Sequence, residues 1–463
     1  MVFLLNESFR LCGWEKLPFA LADRKTGDVR FLPKKLFLLL YRCDGRHELQ
    51  PSALTEEKRS LLDSLQKEGI VRVCENAPLP PDDSFYRDYP ARFKASAQWS
   101  ITGSCNCSCR HCLLRSSENA MGQLSTADCL EIIRQLGECG IRKVSLTGGE
   151  PLVRRDFFQL LDALTAQEIV VTTIYTNGLL VSDELLNGLS ARGMRPLFQM
   201  SYDGTGRHDW LRGQPGAEKA VLRAFERCCE HGFPTSSAMC LHRENTACLA
   251  ESVRLLASLG CSGLKVSGLR DQGAARQLQD VILNRDELFS VLLDYLPRFF
   301  EDGAPMDLML DGLFAYSKRD GKVFIPFERD ASAAPEACLL CGHVRHSLYI
   351  SPEAQLLPCM SMAGTAAADR FPNLLRTPLR ELLHRSEYLD VCDLRLSDYL
   401  ARNPDCADCA DRVSCGGGCR ALALGDQGCD YLARDDWTCG YFREGWKEKL
   451  HACLAGLGIR TKA

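Results

Sequence analysis

The spacing of hydrophobic and polar positions changes along the chain, and each change predicts a different kind of domain. In residues 1–75, two short apolar runs at 19–22 and 29–32 flank a polar turn with a glycine, a pattern typical of a strand hairpin. Helices are predicted at 33–41 and 55–68, the second capped by Thr55, and a closing strand at 70–73. We therefore predict a winged-helix-like domain at 1–75, followed by a proline-rich linker at 76–94.

Between 95 and 305 the pattern alternates between strands and amphipathic helices. The predicted strands are 98–102, 143–147, 170–175, 197–202, 236–241 and 263–266, and the predicted helices are 125–139, 156–167, 182–192, 217–231 and 246–259. Six β/α units predict an α/β fold with a parallel sheet and outer helices. The pattern alone leaves a partial barrel and an open doubly wound sheet as alternatives, and both gather ligands at the carboxyl ends of the strands.

The last third of the chain has a different residue composition and fewer predicted helices. After a bridging segment at 306–337, cysteines become dense and predicted helices rare at 338–440, and a terminal helix is predicted in 441–463. Such a segment has few residues for an apolar core of its own, so we expect metal clusters to hold it together.

Charge and cysteine content narrow the function. The chain has 463 residues and a net charge of -4, so no basic excess favours nucleic-acid binding. The apolar runs are far shorter than the roughly 20 residues that span a bilayer, and the first residues lack the features of a secretion signal. We therefore expect a cytoplasmic protein without membrane or nucleic-acid partners. Its 25 cysteines then indicate metal or iron–sulfur sites rather than disulfides.

The first group of cysteines follows the first predicted barrel strand. Cys105, Cys109 and Cys112 have the spacing C-x3-C-x2-C. Three thiolates can hold three irons of a 4Fe–4S cluster and leave the fourth iron open for another ligand, which is what chemistry requires. A zinc loop, with His111 or a distant residue as fourth ligand, is the alternative.

Polar motifs follow the next three strands. Gly148 and Gly149 allow close approach of a backbone, and the Glu150 carboxylate after them can hold a cationic amine. Arg212, in the run 208–213, can either pair with a carboxylate or hold the loop. His208 in the same run is expected to be structural.

The second group of cysteines has the spacing C-x2-C-x5-C-x3-C, with further cysteines on both sides. The members are Cys406, Cys409, Cys415 and Cys419, with Cys338, Cys341 and Cys359 upstream and Cys429 and Cys439 downstream. Sites with four thiolates cannot easily bind substrate, so electron transfer is the expected role. Two structural zinc sites are the alternative.

Together these motifs resemble the radical S-adenosylmethionine superfamily, with the SPASM extension that carries auxiliary iron–sulfur clusters. The resemblance implies a partial (β/α)6 barrel of TIM type, S-adenosylmethionine as cofactor and three 4Fe–4S clusters. It places Gly148, Gly149 and Glu150 at the amino group of the cofactor, with Asn177, Ser201 and Arg212 also near it. His111 occupies a slot where the family has an aromatic residue, and Cys107 is an additional thiol.

The resemblance also implies how the auxiliary clusters are held. One cluster would use Cys338, Cys341, Cys359 and Cys419, and the other Cys406, Cys409, Cys415 and Cys439. The choice of Cys439 over Cys429 rests on the sequence context at 435–439. Ala354 replaces a glycine of the family pattern, a change expected to alter a turn rather than a ligand.

The N-terminal domain resembles the peptide-recognition domain related to the pyrroloquinoline-quinone chaperone. That resemblance implies capture of a leader peptide by β-augmentation. The whole chain is thus expected to be a maturase that crosslinks a ribosomally made precursor peptide, with a flavodoxin or ferredoxin as electron donor. Oxidation of a serine or cysteine to formylglycine is the alternative, and a non-enzymatic electron carrier is the second. The sequence indicates no catalytic acid or base.

Overall fold

The computed structural model describes residues 2–49, 55–74, 85–116, 121–330, 332–363, 365–427 and 430–459. The N-terminal part contains seven strands and two helices. They are β1 (Val2–Leu5), β2 (Phe9–Trp14), β3 (Leu17–Asp23), β4 (Val29–Phe31), α1 (Lys34–Tyr41), β5 (Asp44–Glu48), α2 (Glu56–Lys67), β6 (Val71–Cys74) and β7 (Tyr86–Tyr89). Two small sheets result, in the strand orders β5-β1-β6 and β4-β3-β2-β7.

The predicted hairpin, both helices and the closing strand of this part are present. Thr55 caps α2, because its side chain accepts a hydrogen bond from the backbone of Lys58. The sequence did not predict β1, β2, β5 or β7. Residues 86–89 were assigned to the linker but form the edge strand β7, while 76–84 lie outside the described residues.

The central part alternates strictly between strands and helices. It comprises β8 (Ser96–Ser100), α3 (Thr126–Glu138), β9 (Lys143–Thr147), α4 (Phe157–Ala166), β10 (Val170–Thr176), α5 (Asp183–Ala191), β11 (Leu197–Ser201), α6 (His208–Arg212), α7 (Ala217–Glu230), β12 (Thr235–Leu241), α8 (Leu249–Ser258), β13 (Gly263–Gly268), α9 (Arg285–Glu301) and β14 (Asp307–Leu310). Strands β8 to β14 are parallel and lie side by side in chain order. This order excludes a doubly wound sheet, in which the order reverses at a switch point, and confirms the partial barrel.

The two faces of this sheet differ because right-handed crossovers place the helices on one side. Residues such as Leu146, Ile174 and Phe198 face the helices and are fully buried. Their neighbours along each strand point to the other, inner face and are largely polar, for example Ser145 and Gln199. The inner face is therefore suited to a polar ligand rather than to core packing.

The C-terminal part adds strands to both edges of the same sheet and then many short helices. The elements are β15 (Phe314–Ser317), β16 (Lys322–Phe324), α10 (His343–His346), β17 (Ser347–Ile350), β18 (Leu356–Leu357), α11 (Leu379–Leu382), α12 (Glu387–Cys392), α13 (Leu396–Arg402), α14 (Pro404–Ala407), α15 (Arg412–Cys415), α16 (Arg420–Gln427), α17 (Asp436–Arg443) and α18 (Trp446–Gly456).

Two expectations for this part were wrong. Helices are not rare, although most have only one or two turns, and the segment buries apolar side chains such as Leu348, Leu379 and Leu383 in the barrel's own core. The predicted terminal helix is divided into α17 and α18 at Gly445, whose φ is +75°. Strand β17, assigned to the cysteine-rich domain, pairs in parallel with β8 and extends the barrel sheet.

The N-terminal domain packs against the amino ends of the barrel strands. Trp14 Nε1 donates a hydrogen bond to the carbonyl of Cys139, 3.0 Å away, just before β9. Glu168, just before β10, forms ion pairs with Arg10 and Arg24 of the domain and with Arg142 of the barrel. The carboxyl ends of the strands therefore lie at the opposite end of the barrel. None of the helices in the described ranges has both the length and the apolar character needed to cross a bilayer.

Candidate functional site: a cysteine loop and two further cysteine groups

The loop that carries Cys105, Cys109 and Cys112 follows β8 at the carboxyl end of the barrel. Backbone N–H groups point at two of its sulfurs, with Cys107 N and Ser116 N each 3.4 Å from the Sγ atoms of Cys105 and Cys112. Hydrogen bonds, first from the Cys107 side chain, lower the pKa of Cys105 to about 6. Cys105 is therefore largely a thiolate at neutral pH, the form that binds metals.

The glycines after β9 hold this loop. Gly149 N donates to Thr102 O at 2.8 Å, and Glu150 N donates to Ser104 O at 2.9 Å. A Cβ atom on Gly148 would lie 2.4 Å from Thr102 O, and one on Gly149 would lie 2.2 Å from Ser104 O. The close approach that we predicted thus serves the backbone of the cysteine loop.

Glu150 lies between the ends of β9 and β10. Its side chain is fully buried, and its two carboxylate oxygens accept hydrogen bonds from Leu152 N, Thr176 Oγ1 and Asn177 N at 2.7–3.1 Å. Burial raises the pKa of Glu150 to about 7. The carboxylate therefore ties the ends of β9 and β10 together instead of facing a ligand.

Asn177 also serves the loop, whereas Ser201 does not. The Asn177 amide donates to Asn106 Oδ1 at 2.7 Å and to Cys107 Sγ at 3.3 Å. Ser201 is half-buried at the carboxyl end of β11, on the inner face of the sheet.

Arg212 is held by a buried acid that sequence reasoning did not assign to the site. Asp203 is fully buried, accepts from Arg212 Nε at 2.8 Å and lies 3.0 Å from His208 Nδ1. Burial acts to raise the pKa of Asp203, but Arg212 and His208 hold it well below its usual range. Arg212 Nη1 in turn lies 4.0 Å from Cys109 Sγ.

Arg212 thus fills both of the roles left open for it, because it pairs with the Asp203 carboxylate and approaches the cysteine loop at Cys109. The geometry also supports the structural role predicted for His208. The Ser-Tyr-Asp-Gly motif at 201–204 was visible in the sequence, and its aspartate was the missed signal.

Four predicted ligands of one auxiliary cluster lie together. Cys406, Cys409, Cys415 and Cys439 all line one cavity, next to Tyr399, whose hydroxyl lies 3.3 Å from Cys406 Sγ. Burial, followed by the neighbouring Cys439 thiol, raises the pKa of Cys415 to about 12. The alternative ligand Cys429 lies outside the described residues.

The other auxiliary group is brought together in part. Burial raises the pKa of Cys359 to about 12, and the thiols of Cys419 and Cys341 add to this effect. Cys359, Cys419 and Cys341 are therefore neighbours. Cys338 packs at a small apolar cluster that Cys406 also contacts. Sequence reasoning left Cys392 unassigned, although this buried thiol interacts with Cys341.

Backbone geometry joins the two auxiliary groups. Gly416, Gly417 and Gly418 all have positive φ, between +57° and +78°, which lets the chain reverse between Cys415 and Cys419. Asp435 accepts a hydrogen bond from Cys419 N at 2.7 Å and caps α17, the helix of Cys439.

Ala354, which replaces the family's glycine, is buried and has a φ of +67°. The turn is therefore kept, at a cost of about 1 kcal/mol for a residue with a Cβ atom.

These donor sets fit iron–sulfur clusters. A bound cation stabilises the thiolate form of crowded, buried cysteines with raised pKa values, because a thiol that coordinates a metal loses its proton. Within the described residues, no group of three or more His, Cys, Asp or Glu side chains is arranged to hold a metal ion. That finding concerns single ions, since each cysteine of a 4Fe–4S cube binds a separate iron.

Comparison with known proteins gives the family. Residues 99–256 match the Radical SAM superfamily. Mycofactocin maturase MftC of Mycolicibacterium smegmatis is 28% identical over 333 residues, covering 70% of this chain and 77% of the relative. Proteins of that name from other mycobacteria match over only 44–47% of their length. The AdoMet-dependent heme synthase of Nitratidesulfovibrio vulgaris is 26% identical over 353 residues, covering 74% of this chain and 91% of the relative.

A solved structure extends the likeness to the fold of nearly the whole chain. Streptococcus suis SuiB, bound to its precursor peptide SuiA, superposes with a TM-score of 0.62 at 16% identity and covers 95% of this chain and 100% of SuiB. The cysteine loop at the end of β8, the glycine turn that holds it and the family match all fall within the same barrel. This chain therefore carries a radical SAM domain at residues 99–256.

Proposed function

We propose that the protein is a radical SAM maturase that forms a thioether or carbon–carbon crosslink in a ribosomally made precursor peptide. The observation that carries the proposal is the position of Cys105, Cys109 and Cys112. They lie on one loop at the ligand-binding end of the barrel, where Cys107 is an additional thiol. When bound, the cluster supplies the electron that cleaves S-adenosylmethionine to methionine and a 5′-deoxyadenosyl radical.

The chain's own residues would orient and shield this chemistry. Cys105, Cys109 and Cys112 would bind three irons, and Gly148, Gly149, Glu150, Asn177 and Arg212 hold the loop in place. Ser201 offers its hydroxyl on the inner face. The cofactor's amino group would then be held by the backbone of the glycine turn, since the Glu150 carboxylate is already engaged.

The two cysteine groups of the C-terminal part would hold auxiliary 4Fe–4S clusters that take up the surplus electron. Four cysteines that line one cavity support the cluster on Cys406, Cys409, Cys415 and Cys439. The neighbouring Cys341, Cys359 and Cys419 support the other, with Cys338 as the proposed fourth ligand. Reduced flavodoxin or ferredoxin would supply the electron in the cytoplasm.

The N-terminal domain would bind the leader of the precursor. Its sheets end in short edge strands, such as β4, that can accept an added strand. The relatives named maturases and the fold shared with a precursor-bound enzyme support a peptide substrate. Because the domain packs at the far end of the barrel, leader and modified residue must be separated by at least about five extended residues, the length of the shorter barrel strands.

Anaerobic reconstitution with iron, sulfide and dithionite tests the chemistry. We expect about 12 irons per chain and formation of 5′-deoxyadenosine, since three four-iron clusters are proposed. The variant Cys105→Ala/Cys109→Ala/Cys112→Ala should lose the product and retain about two thirds of the iron. Absence of 5′-deoxyadenosine from the fully loaded protein would contradict the proposal and favour an electron carrier.

Mass spectrometry of a co-expressed precursor peptide tests the outcome of the reaction. Crosslinking removes two hydrogens per link and leaves two residues joined in one fragment, whereas oxidation of a serine to formylglycine removes two hydrogens without joining residues. An aldehyde in place of a serine or cysteine side chain would instead support the formylglycine alternative.

A further inference from the structure

A single row of cross-strand neighbours leads from the candidate cofactor site to the open edge of the sheet. Ser201 pairs with Ala238, which pairs with Lys265, then Met309, Ala315 and Phe324 on β16. Directly paired residues point to the same face of a sheet. We call these six residues the inner row.

The inner row lies on the face away from the helices. A second row runs parallel to it, one residue earlier on each barrel strand. Its members Met200, Leu264 and Leu308 are at most 2% exposed. Tyr316 of that buried row packs against Phe299 and Phe300 of α9. The inner row therefore faces the inside and the mouth of the barrel.

Three side chains of the inner row are far more exposed than side chains in the core of a sheet. Met309 is 41% and Phe324 62% exposed, and Lys265 is exposed as well. In the described part of the chain no hydrogen bond or salt bridge engages the Lys265 ammonium. Lys265 acts to lower the pKa of Asp311, but the Asp311 carboxylate is paired with Arg270, and Asp307 on the neighbouring strand accepts the backbone N–H of Lys318.

We propose that Lys265, Met309 and Phe324 bind the peptide substrate, with Lys265 selecting a carboxylate and Met309 and Phe324 packing against an apolar side chain. This inference rests on the proposed function, because it takes the occupant to be a peptide. Two observations support that occupant: the exposed Lys265 side chain, which has no hydrogen bond or salt bridge among the described residues, and the continuity of the row with Ser201.

The spacing between strands predicts which positions of a bound peptide would contact Lys265 and Phe324. Lys265 lies two strands from Ser201, about 10 Å away, and Phe324 lies five strands away, about 24 Å. An extended peptide advances about 3.3 Å per residue, so these positions correspond to about three and seven residues from the residue that is attacked. The carboxylate is either an Asp or Glu side chain or the C-terminus of the peptide.

Fluorescence anisotropy of defined peptides on the iron-loaded enzyme with S-adenosylmethionine tests the proposal without turnover. The main probe is a labelled, amidated Gly/Ser octapeptide with Glu at position 4 and Phe at position 8. Matched probes carry Gln or Lys at position 4, or Ser at position 8. A labelled tetrapeptide with a free or an amidated C-terminus distinguishes the second source of the carboxylate.

We expect the wild type to bind the Glu probe at least tenfold more tightly than the Gln probe. Lys265→Glu should invert the preference in favour of the Lys probe, and Phe324→Ser should remove the advantage of Phe over Ser at position 8. The controls are Lys219→Glu, an exposed lysine on α7, and Leu375→Ser, an exposed leucine of the C-terminal part, and they should leave the affinities unchanged.

The inference is overturned if the wild type binds none of these probes. It is also overturned if it does not discriminate Glu from Gln, or if Lys265→Glu leaves the preference as it was. Formation of 5′-deoxyadenosine is measured separately. Its absence would count against the proposed function, whereas loss of peptide discrimination alone would count against the inner row.

Discussion

Single residues at the carboxyl ends of the strands mostly serve the cysteine loop. Gly149 accommodates its backbone, Asn177 donates to it and Arg212 approaches Cys109. Sequence reasoning placed all three near the cofactor and left holding the loop as an open alternative for Arg212. A loop with three ligands has little regular structure, so its neighbours supply its hydrogen bonds.

The variant Gly149→Ala tests the support of the loop. Its Cβ would lie 2.2 Å from Ser104 O and 2.6 Å from the Ser104 carbonyl carbon, so the backbone of the loop must move. We expect loss of about a third of the iron, the share of one cluster in three, and at least a tenfold drop in 5′-deoxyadenosine. Iron analysis and product assay measure both. Gly456→Ala is the control, because its Cβ would meet nothing within 4 Å.

At the scale of secondary structure elements, the C-terminal part is fastened to the barrel by buried polar contacts. Gln135 on α3 accepts a hydrogen bond from Leu379 N at 2.8 Å and donates to Leu374 O at 3.3 Å. It thereby supplies partners for the backbone around the start of α11, a helix of only four residues. Short helices have many unpaired backbone groups for their length, so such side-chain partners are needed.

The variant Gln135→Leu removes this connection and puts an apolar side chain of similar size in its place. Two buried backbone groups lose their partner, and we expect the free energy of unfolding to fall by about 2 kcal/mol. Urea unfolding of the iron-loaded protein measures the change. Gln66→Leu on the exposed face of α2 should change it by much less, and an equal loss in both variants would contradict the assigned role.

At the scale of the whole molecule, the N-terminal domain is fixed to the barrel by charge. Arg10 and Arg24 of the domain and Arg142 of the barrel surround Glu168. Although burial acts to raise the pKa of Glu168, the three guanidinium groups lower it below the usual value of 4.5. The stability that these ion pairs contribute is therefore fully present above pH 4.5. It is lost as the pH falls through the lowered pKa of Glu168 in the folded protein.

The variant Glu168→Gln should lower the free energy of unfolding at pH 7 by about 2 kcal/mol, because it removes the charge-assisted hydrogen bonds. The difference from the wild type should stay constant down to the usual glutamate range and shrink at lower pH. Thermal unfolding across pH measures it, with Glu301→Gln on the exposed end of α9 as control. A difference that grows on acidification would show that another group dominates the attachment.

The sequence by itself determined the alternation of strands and helices, and strand 143–147 was predicted with the bounds that the structure has, whereas the strand order decided for the partial barrel. The sequence also determined the cysteine spacings, because local periodicity and short-range ligand geometry are properties of neighbouring residues. Only the tertiary structure decided that β17 pairs with β8 and that Glu150 is turned inward. It likewise decided that Ser201 and Phe324 share one row. These features join residues that are distant along the chain, so they depend on strand order and register, which no local pattern encodes.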